Sequence, residues 1–188
     1  MLHILVPLAQ GCEELEAITI TDLLTRAGVE VTTCGLDEQP VTASRGTVII
    51  PTTSIDKIIR QNFDAIILPG GLPGADHLRD DPSIQQLLKR HAREHRYIGA
   101  ICAAPKALAA AGLLENKTAT AYPGTLEALS DNHIHITANA VEIDDRIITS
   151  RGPGTAIDFA LNLIEILIDR EKRNEVEAQL VREQVAIP

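Results

Sequence analysis

The chain of 188 residues has very few aromatic side chains, with two Tyr, two Phe and no Trp. The ring platforms on which single-stranded nucleic acids stack are therefore not expected. Basic residues are also outnumbered, with 17 Lys and Arg against 26 Asp and Glu and a formal net charge of -9. Such a surface repels phosphate backbones and anionic lipid, so the composition argues against specific nucleic-acid binding.

Long hydrophobic runs are missing as well. The most apolar late stretch, residues 159–168, is interrupted by Glu165 and falls well short of the ~18 residues that span a bilayer. The apolar N-terminal stretch is short, contains Pro7 and lacks the basic flank of a secretory signal. These features predict a soluble, cytoplasmic protein that has no membrane partner.

Cysteine is scarce, and its spacing is uninformative. Cys12, Cys34 and Cys102 are an odd number without a C-x-x-C pair, so neither a disulfide framework nor a structural zinc site is predicted. His91 and His95 have the i, i+4 spacing of a metal pair, but they lie in a charged segment without an obvious third ligand. No metal is expected.

Apolar residues are plentiful, at 45% of the chain, and this fraction and length suit one domain over residues 1–188. Strand-length apolar runs alternate with helical patterns. Strands are predicted over residues 2–8, 29–36, 64–68 and 97–101 and near 134 and 146–149, with a hairpin around 41 and 47–50. Helices are predicted over residues 13–26, 55–59, from 82, over 105–111, and from 155, with a more solvated last helix from 169.

Helix ends carry recognisable signals. Gly28 suits the left-handed position after the first helix, and Asp81 followed by Pro82 opens another. Ser54 is expected to cap the short helix, and Thr155 with Asp158 to form a capping box. The core stripe predicted for that last long helix is Ile157, Leu161, Ile164 and Ile168.

The alternation of strands and helices predicts a mostly parallel sheet covered by helices on both faces, a flavodoxin-like three-layer α/β sandwich. Ligands in such folds sit beyond the carboxyl ends of the strands. The loops after Leu8, Leu68 and Ile101 are therefore expected to converge on the functional site.

Cys102 lies where a buried strand runs directly into a helix, in Gly99-Ala100-Ile101-Cys102-Ala103-Ala104-Pro105. This corner resembles a nucleophile elbow, and the helix N-terminus is expected to lower the pKa of the thiol. The sequence therefore predicts a reactive thiolate at neutral pH.

Acidic residues crowd the start of the first helix, in Glu13-Glu14-Leu15-Glu16. Glu16 aligns with an inward apolar stripe, and a desolvated carboxyl group there would stay protonated and donate a hydrogen bond to a thiolate. Spacing alone does not select it, because Glu13 also aligns with apolar positions. The glycines of Leu68-Pro69-Gly70-Gly71 offer free N–H groups for an oxyanion, or else form only a tight turn.

Five motifs in chain order resemble the DJ-1/PfpI (ThiJ) superfamily, and specifically its DJ-1-like branch. They are Glu13-Glu14-Leu15-Glu16, Ser44-Arg45-Gly46, Leu68-Pro69-Gly70-Gly71, Ala100-Ile101-Cys102-Ala103-Ala104-Pro105 and Thr149-Ser150-Arg151-Gly152-Pro153-Gly154-Thr155. The resemblance implies that Cys102 is the oxidation-prone reactive cysteine and Glu16 the protonated glutamate bonded to it. It also implies that Gly70, Gly71 and Ala103 are the backbone donors near the substrate oxygen.

Two positions depart from patterns in the superfamily. Ala103 stands where protease-like members carry a histidine, which counts against peptidase activity. Tyr122-Pro123 stands where many DJ-1-like members have a His-Pro pair at the pocket. A phenol can donate a hydrogen bond, but with an ordinary pKa of ~10 it shuttles protons poorly at pH 7.

The resemblance implies a cofactor-free enzyme acting on reactive carbonyls, a glutathione-independent glyoxalase of the lyase type or a deglycase hydrolase. Its expected substrates are small aldehydes or glycated protein and nucleotide. The alternative is an oxidative-stress sensor or holdase chaperone in which Cys102 is oxidised without turnover, with Cys12 as a conceivable resolving thiol. A homodimer built partly on Leu15 and Ile18 is also expected, with Arg45 near the pocket, the partner or solvent.

Overall fold

A seven-stranded sheet forms the centre of the computed structural model, which describes residues 1–129 and 133–182. The strands are β1 (His3–Leu8), β2 (Glu30–Gly35), β3 (Val41–Thr42), β4 (Val48–Ile49), β5 (Thr53–Ser54), β6 (Ala65–Leu68), β7 (Tyr97–Ile101), β8 (Thr118–Thr120), β9 (His135–Thr137), β10 (Val141–Asp144) and β11 (Ile147–Ser150). The helices are α1 (Glu14–Arg26), α2 (Ile55–Ile58), α3 (Gly74–Asp80), α4 (Pro82–Arg93), α5 (Pro105–Ala110), α6 (Ala156–Leu167) and α7 (Arg170–Gln179).

The strand order of the sheet is β10-β11-β7-β6-β1-β2-β5, and β10 with β11 is its antiparallel pair, the other pairs being parallel. Counted in chain order, the run β2-β1-β6-β7-β11 has the 2-1-3-4-5 arrangement of flavodoxin-like folds. The fold is therefore a flavodoxin-like three-layer α/β sandwich, as predicted. Its switch point lies between β1 and β6, because the helices α1 and α4 that follow these two strands cover opposite faces of the sheet.

Each face of the sheet is covered by its own apolar layer. Ile4, Val6 and Leu8 of β1 pack in one cluster with side chains of α1 and α6, whereas Leu5 packs in a second cluster with side chains of α4 and α5. All four are at most 1% exposed. Fully burying one such side chain contributes roughly 1.5–3 kcal/mol, so these layers hold the strand ends in a fixed register.

Several predicted helix boundaries are confirmed. The Asp81 carboxylate accepts the N–H groups of Ser83 and Ile84 at 2.9 and 3.0 Å, which caps α4. Gly28, which follows α1, has a φ of +81°, the left-handed conformation that glycine adopts at no steric cost.

Other boundary predictions are wrong. Thr155 occupies the N-cap position of α6 but forms no capping bond, because its hydroxyl instead bonds Ser150 at the end of β11 and the Gly152 carbonyl. Ser54 occupies the N-cap position of α2 without a capping bond from its side chain. Ile157 is 37% exposed and is not a core residue, since α6 turns Phe159 and its neighbours toward the sheet instead.

Four elements had no sequence signal strong enough to be predicted. Helix α3 begins at Gly74 directly after Pro73, two residues that disfavour a helix interior. Strands β5, β8 and β10 are two to four residues long. Within the described residues, no helix is long and apolar enough to cross a membrane.

Candidate active site

Cys102 lies at a strained corner between β7 and α5. Its φ is +62°, in the left-handed region that residues other than glycine rarely adopt. Its N–H donates to the Ser150 carbonyl at 2.9 Å, and its own carbonyl accepts the Tyr122 N–H at 2.8 Å. These bonds hold the corner from both sides and leave the residue 7% exposed, the geometry of a nucleophile elbow.

Glu16 in the first turn of α1 is completely buried. Its Oε2 accepts the Gly70 N–H at 2.7 Å, and the Gly70 carbonyl in turn accepts the Glu13 N–H at 2.9 Å. Oε1 is also buried, and no described residue forms a hydrogen bond of ordinary geometry with it. The Cys102 side chain nevertheless lies close enough to affect the pKa of this carboxyl group by hydrogen bonding. Of the two aligned candidates, Glu16 is thus the one beside the cysteine.

The Gly70-Gly71 turn fits between these residues because it has no side chains. A Cβ on Gly70 would lie 2.7 Å from the Cβ of Cys102 and 2.8 Å from the Ile101 carbonyl oxygen. Gly71 has a φ of +87°, and a Cβ there would lie 2.3 Å from the Glu13 nitrogen. Both glycines are therefore required by close approach of the backbone, which is more than a plain tight turn demands.

Burial controls the charge of Glu16. It raises the pKa of the carboxyl group from its ordinary 4.5 to about 7, and the negative charge of Glu13 adds to this effect. The Gly70 N–H and the Cys102 side chain act in the opposite direction by hydrogen bonding to the carboxylate. Glu16 can therefore hold a proton near neutral pH.

The pKa of the Cys102 thiol differs from the one that the sequence predicted. Burial raises the pKa of its thiol to about 12, and the charge of Glu16 and a hydrogen bond to it add to the rise, while the amides of Gly71 and Ala103 lower the pKa. The start of α5 therefore does not ionise the thiol by itself.

The two groups must be treated as a pair sharing one proton. Two of the effects that raise the pKa of Cys102 come from Glu16 in its carboxylate form. When the proton lies on Glu16, the charge repulsion disappears and the carboxyl group can donate a hydrogen bond to sulfur. A thiolate at this site is consequently coupled to a neutral Glu16.

The remaining predicted site residues do not all take the positions that were expected of them. The amides of Gly71 and Ala103 act on the Cys102 sulfur, whereas the Gly70 N–H is already engaged by Glu16 and is not the free donor that was expected. Tyr122 adjoins Cys102 through its main chain but is 53% exposed, with its ring beside Gly152. It lies at the rim of the site.

Of the other candidate residues, Cys12 adjoins Gly71 through its main chain, whereas His91 and His95 of the α4 segment lie away from the site. Cys12 is fully buried, and burial together with the charge of Glu14 raises the pKa of its thiol to about 11. His91 is buried in the core while His95 is exposed, so these histidines do not face a common ligand. Among residues 1–129 and 133–182, no group of three or more His, Cys, Asp and Glu is placed to hold a metal ion.

Sequence reasoning missed the role of Glu14. Its carboxylate accepts hydrogen bonds from the N–H groups of Arg45 and Thr47 and from the Ser44 hydroxyl, at 3.0 to 3.3 Å. Burial alone would raise its pKa, but these bonds and that of its own amide outweigh burial and lower the pKa to about 2. Glu14 thus ties the β3–β4 hairpin to the start of α1, and Arg45 in that hairpin is exposed.

A family model for the DJ-1/PfpI family matches residues 2–166. The chain belongs to the DJ-1/PfpI family. Among curated members, Protein DJ-1 homolog A of Arabidopsis thaliana is 41% identical over 180 residues, which cover 95% of this chain and 46% of that protein. The chain therefore spans about half the length of that relative.

Another DJ-1/PfpI relative is closer in length. The glutathione-independent glyoxalase DJR-1.2 of Caenorhabditis elegans is 38% identical over 173 residues, which cover 92% of this chain and 91% of that protein.

Solved structures of DJ-1 proteins share the fold. Drosophila melanogaster DJ-1beta gives a TM-score of 0.93 at 39% identity, covering 97% of this chain and 98% of that one. Oxidized Toxoplasma gondii DJ-1 gives 0.91 at 37% identity, covering 96% and 98%.

The tight contact at Gly70 leads to a first prediction. Gly70→Ala should slow alkylation of Cys102 at least tenfold and destabilise the fold by about 1–3 kcal/mol, because the added methyl group overlaps the cysteine and the preceding carbonyl. Iodoacetamide labelling followed by mass spectrometry, beside urea unfolding, measures both effects.

Gly154→Ala is the matched control, since a Cβ there meets nothing within 4 Å. It should change stability by less than about 0.5 kcal/mol and leave labelling unchanged. Equal behaviour of the two variants would show that the glycine turn does not fix the site.

A second prediction concerns pH. Because the pKa of Glu14 is lowered in the folded chain, its stabilising effect is complete above the unfolded value of 4.5 and is lost as the pH falls toward about 2. The stability lost in Glu14→Gln should therefore be greatest at neutral pH and shrink below pH 4.5 in urea unfolding. Glu115→Gln, at an exposed position, is the control, and a loss independent of pH would contradict the role of the carboxylate.

Proposed function

We propose that this chain is a cysteine-dependent, cofactor-free enzyme acting on small reactive carbonyl compounds, either as a glutathione-independent glyoxalase or as a deglycase for methylglyoxal and glyoxal adducts. The observation that carries the proposal is the buried Glu16 carboxyl group beside the Cys102 thiol, with the amides of Gly71 and Ala103 acting on the same sulfur. The name of the Caenorhabditis elegans relative supports the same activity.

The first step is addition of the Cys102 thiolate to the aldehyde carbon of methylglyoxal. A C–S bond forms, and the π electrons of the carbonyl move to its oxygen. The sulfur then carries no charge, so the Gly71 and Ala103 amides that favoured the thiolate become available to the new oxyanion. Glu16, neutral while the sulfur is ionised, supplies the proton that completes the hemithioacetal.

Glu16 is then a carboxylate and can act as a base. It removes the proton from the carbon attached to sulfur, giving an enediolate, and returns that proton to the neighbouring carbon. The hydroxyl proton on the first carbon passes to the oxygen of the second, so that no proton is gained or lost. The product is a thioester of lactate on Cys102. Water hydrolyses the thioester and restores the thiol, so methylglyoxal and one water give lactate without an external oxidant or reductant. Glyoxal gives glycolate by the same steps.

The burial of Glu16 suits both roles. General acid–base catalysis is most efficient when the pKa of the group lies near the working pH, and burial raises the pKa of Glu16 to about 7. Tyr122 at the rim can orient a substrate oxygen by donating a hydrogen bond. Proton exchange at the reacting carbon is therefore assigned to Glu16.

A second candidate function is an oxidative-stress sensor or holdase chaperone in which Cys102 is oxidised without carbonyl turnover. It is favoured by the solved relative from Toxoplasma gondii, which is an oxidized DJ-1. A reactive cysteine suits this chemistry equally well. For either function we propose a homodimer, because Leu15 and Ile18 on α1 are each 49% exposed and offer an apolar surface. We also propose a cytoplasmic location.

Methylglyoxal turnover tests the enzyme. Cys102→Ser should lose at least a hundredfold in lactate formation, and Glu16→Gln should lose ~10²–10⁴-fold because the acid–base group is gone. Cys34→Ala, a buried thiol in β2 remote from the mechanism, should keep its activity within a few fold. Lactate is measured by mass spectrometry, and full activity in Cys102→Ser would remove the nucleophile assignment.

Peroxide treatment separates the two functions. If the chain is an enzyme, the reduced protein should turn over methylglyoxal. Its activity should then fall in proportion to the fraction of Cys102 that has gained two oxygen atoms, which intact-mass measurement gives. Oxidation of Cys102 in a protein that never consumed carbonyls would instead support the sensor. If Cys12 is a resolving thiol, mild oxidation should yield a Cys12–Cys102 disulfide, and its absence from the peptide map would exclude that role.

A further inference from the structure

A groove runs along the edge of the sheet opposite to Cys102, at the amino ends of β7, β8 and β11. Two adjoining depressions of about 520 and 180 Å³ share Ala92 and Leu113 as their floor. Because Cys102 follows the carboxyl end of the five-residue strand β7, the groove lies roughly 16 Å from the active site. We call it the basic groove, after its rim of Lys89, Arg93, Arg96, Lys117 and Arg146.

The charge of this groove is opposite to that of the chain as a whole. Five of the 17 Lys and Arg residues line it, and Asp145 is the carboxylate among its lining residues, although the chain carries a net charge of -9. Arg96 and Lys117 are held by Glu94 and Asp144 at 3.0 and 2.9 Å.

Three of the rim cations remain available to a ligand. Within the described part of the chain, Lys89, Arg93 and Arg146 form no ion pair with a carboxylate, and all three are exposed. The Arg146 guanidinium lies 4.3 Å from the centre of the Tyr97 ring, a contact that orients it without neutralising it.

Helix electrostatics explain only part of this charge. Cations near the end of α4, such as Lys89 and Arg93, are favoured by the helix dipole. Lys117 and Arg146 come from two other elements, the segment before β8 and the β10–β11 turn, and the dipole does not account for them. Three separate elements thus place positive charge around one partly apolar floor.

We propose that the basic groove binds a short acidic peptide segment of a partner protein. Its cations fit carboxylates, and the floor of Ala92 and Leu113, both partly exposed, fits an apolar side chain between them. A long polyanion such as RNA fits less well, because the rest of the acidic surface repels it and the Tyr97 ring is covered by Arg146. The proposal does not depend on the carbonyl chemistry of the active site.

The test is a fluorescence anisotropy titration of the full chain with a labelled peptide of about ten residues, mostly Glu and Asp with two Leu. We expect saturable binding that weakens as salt is raised from about 50 to 300 mM. The double variant Lys89→Glu, Arg93→Glu should bind at least tenfold more weakly, equivalent to about 1.4 kcal/mol. Leu113→Ser should also weaken binding while preserving its salt dependence.

The matched control is Arg170→Glu, Lys172→Glu, which makes the same charge change on α7, on the other side of the sheet. It should bind the peptide as the unmodified chain does, and thermal melting verifies that every variant is folded. Absence of saturable binding to the unmodified chain, or equal weakening in the control, would overturn the proposal. Tighter binding of a single-stranded RNA of similar charge, lost in Lys89→Glu, Arg93→Glu, would overturn it in favour of phosphate recognition.

Discussion

The hydrogen bond from the Gly70 N–H to the Glu16 carboxylate, 2.7 Å long and fully buried, is the contact on which the site depends. It joins α1 to the turn after β6, and the reverse bond from the Glu13 N–H to the Gly70 carbonyl closes the pair. A buried carboxyl group is costly unless it is hydrogen-bonded, and here the partner is a main-chain amide that only proline would remove. The same contact sets Glu16 beside Cys102 and so fixes the acid–base pair.

The order of the strands explains why these residues meet. The helices α1 and α4, which follow β1 and β6, cover opposite faces of the sheet at its switch point, and the loops that precede them are joined by the Glu13–Gly70 hydrogen bond beside the corner after β7. That corner is held by Ser150 of β11, so four strands determine where one sulfur atom lies. The strained φ of Cys102 persists because several hydrogen bonds and close contacts from neighbouring residues hold the backbone there, which is typical of functional positions.

The architecture could be read from the sequence because apolar strands, Asp81 and Gly28 are local signals that tertiary packing did not override. Short elements could not be predicted, because a strand such as β8 is defined by its pairing with β9 and not by its own three residues. In the site, the position of Cys102 followed from the strand-to-helix boundary, but its ionisation did not. The choice between Glu13 and Glu16, the engagement of the Gly70 amide and the clamp formed by Glu14 all depend on long-range contacts that spacing cannot encode.

The backbone amides are shared between Glu16 and Cys102, and this sharing explains why either group can carry the negative charge. Gly70 donates to the carboxyl group while Gly71 and Ala103 act on the sulfur, so neutral donors stabilise negative charge on either partner. Moving the proton between them leaves the charge of the pair unchanged, and the burial cost of one negative charge is present in both arrangements. The balance is therefore set by which partner is better hydrogen-bonded. A substrate that consumes the charge on sulfur releases two of those amides, which is how the site can shift from favouring a thiolate to favouring an oxyanion without a cationic side chain.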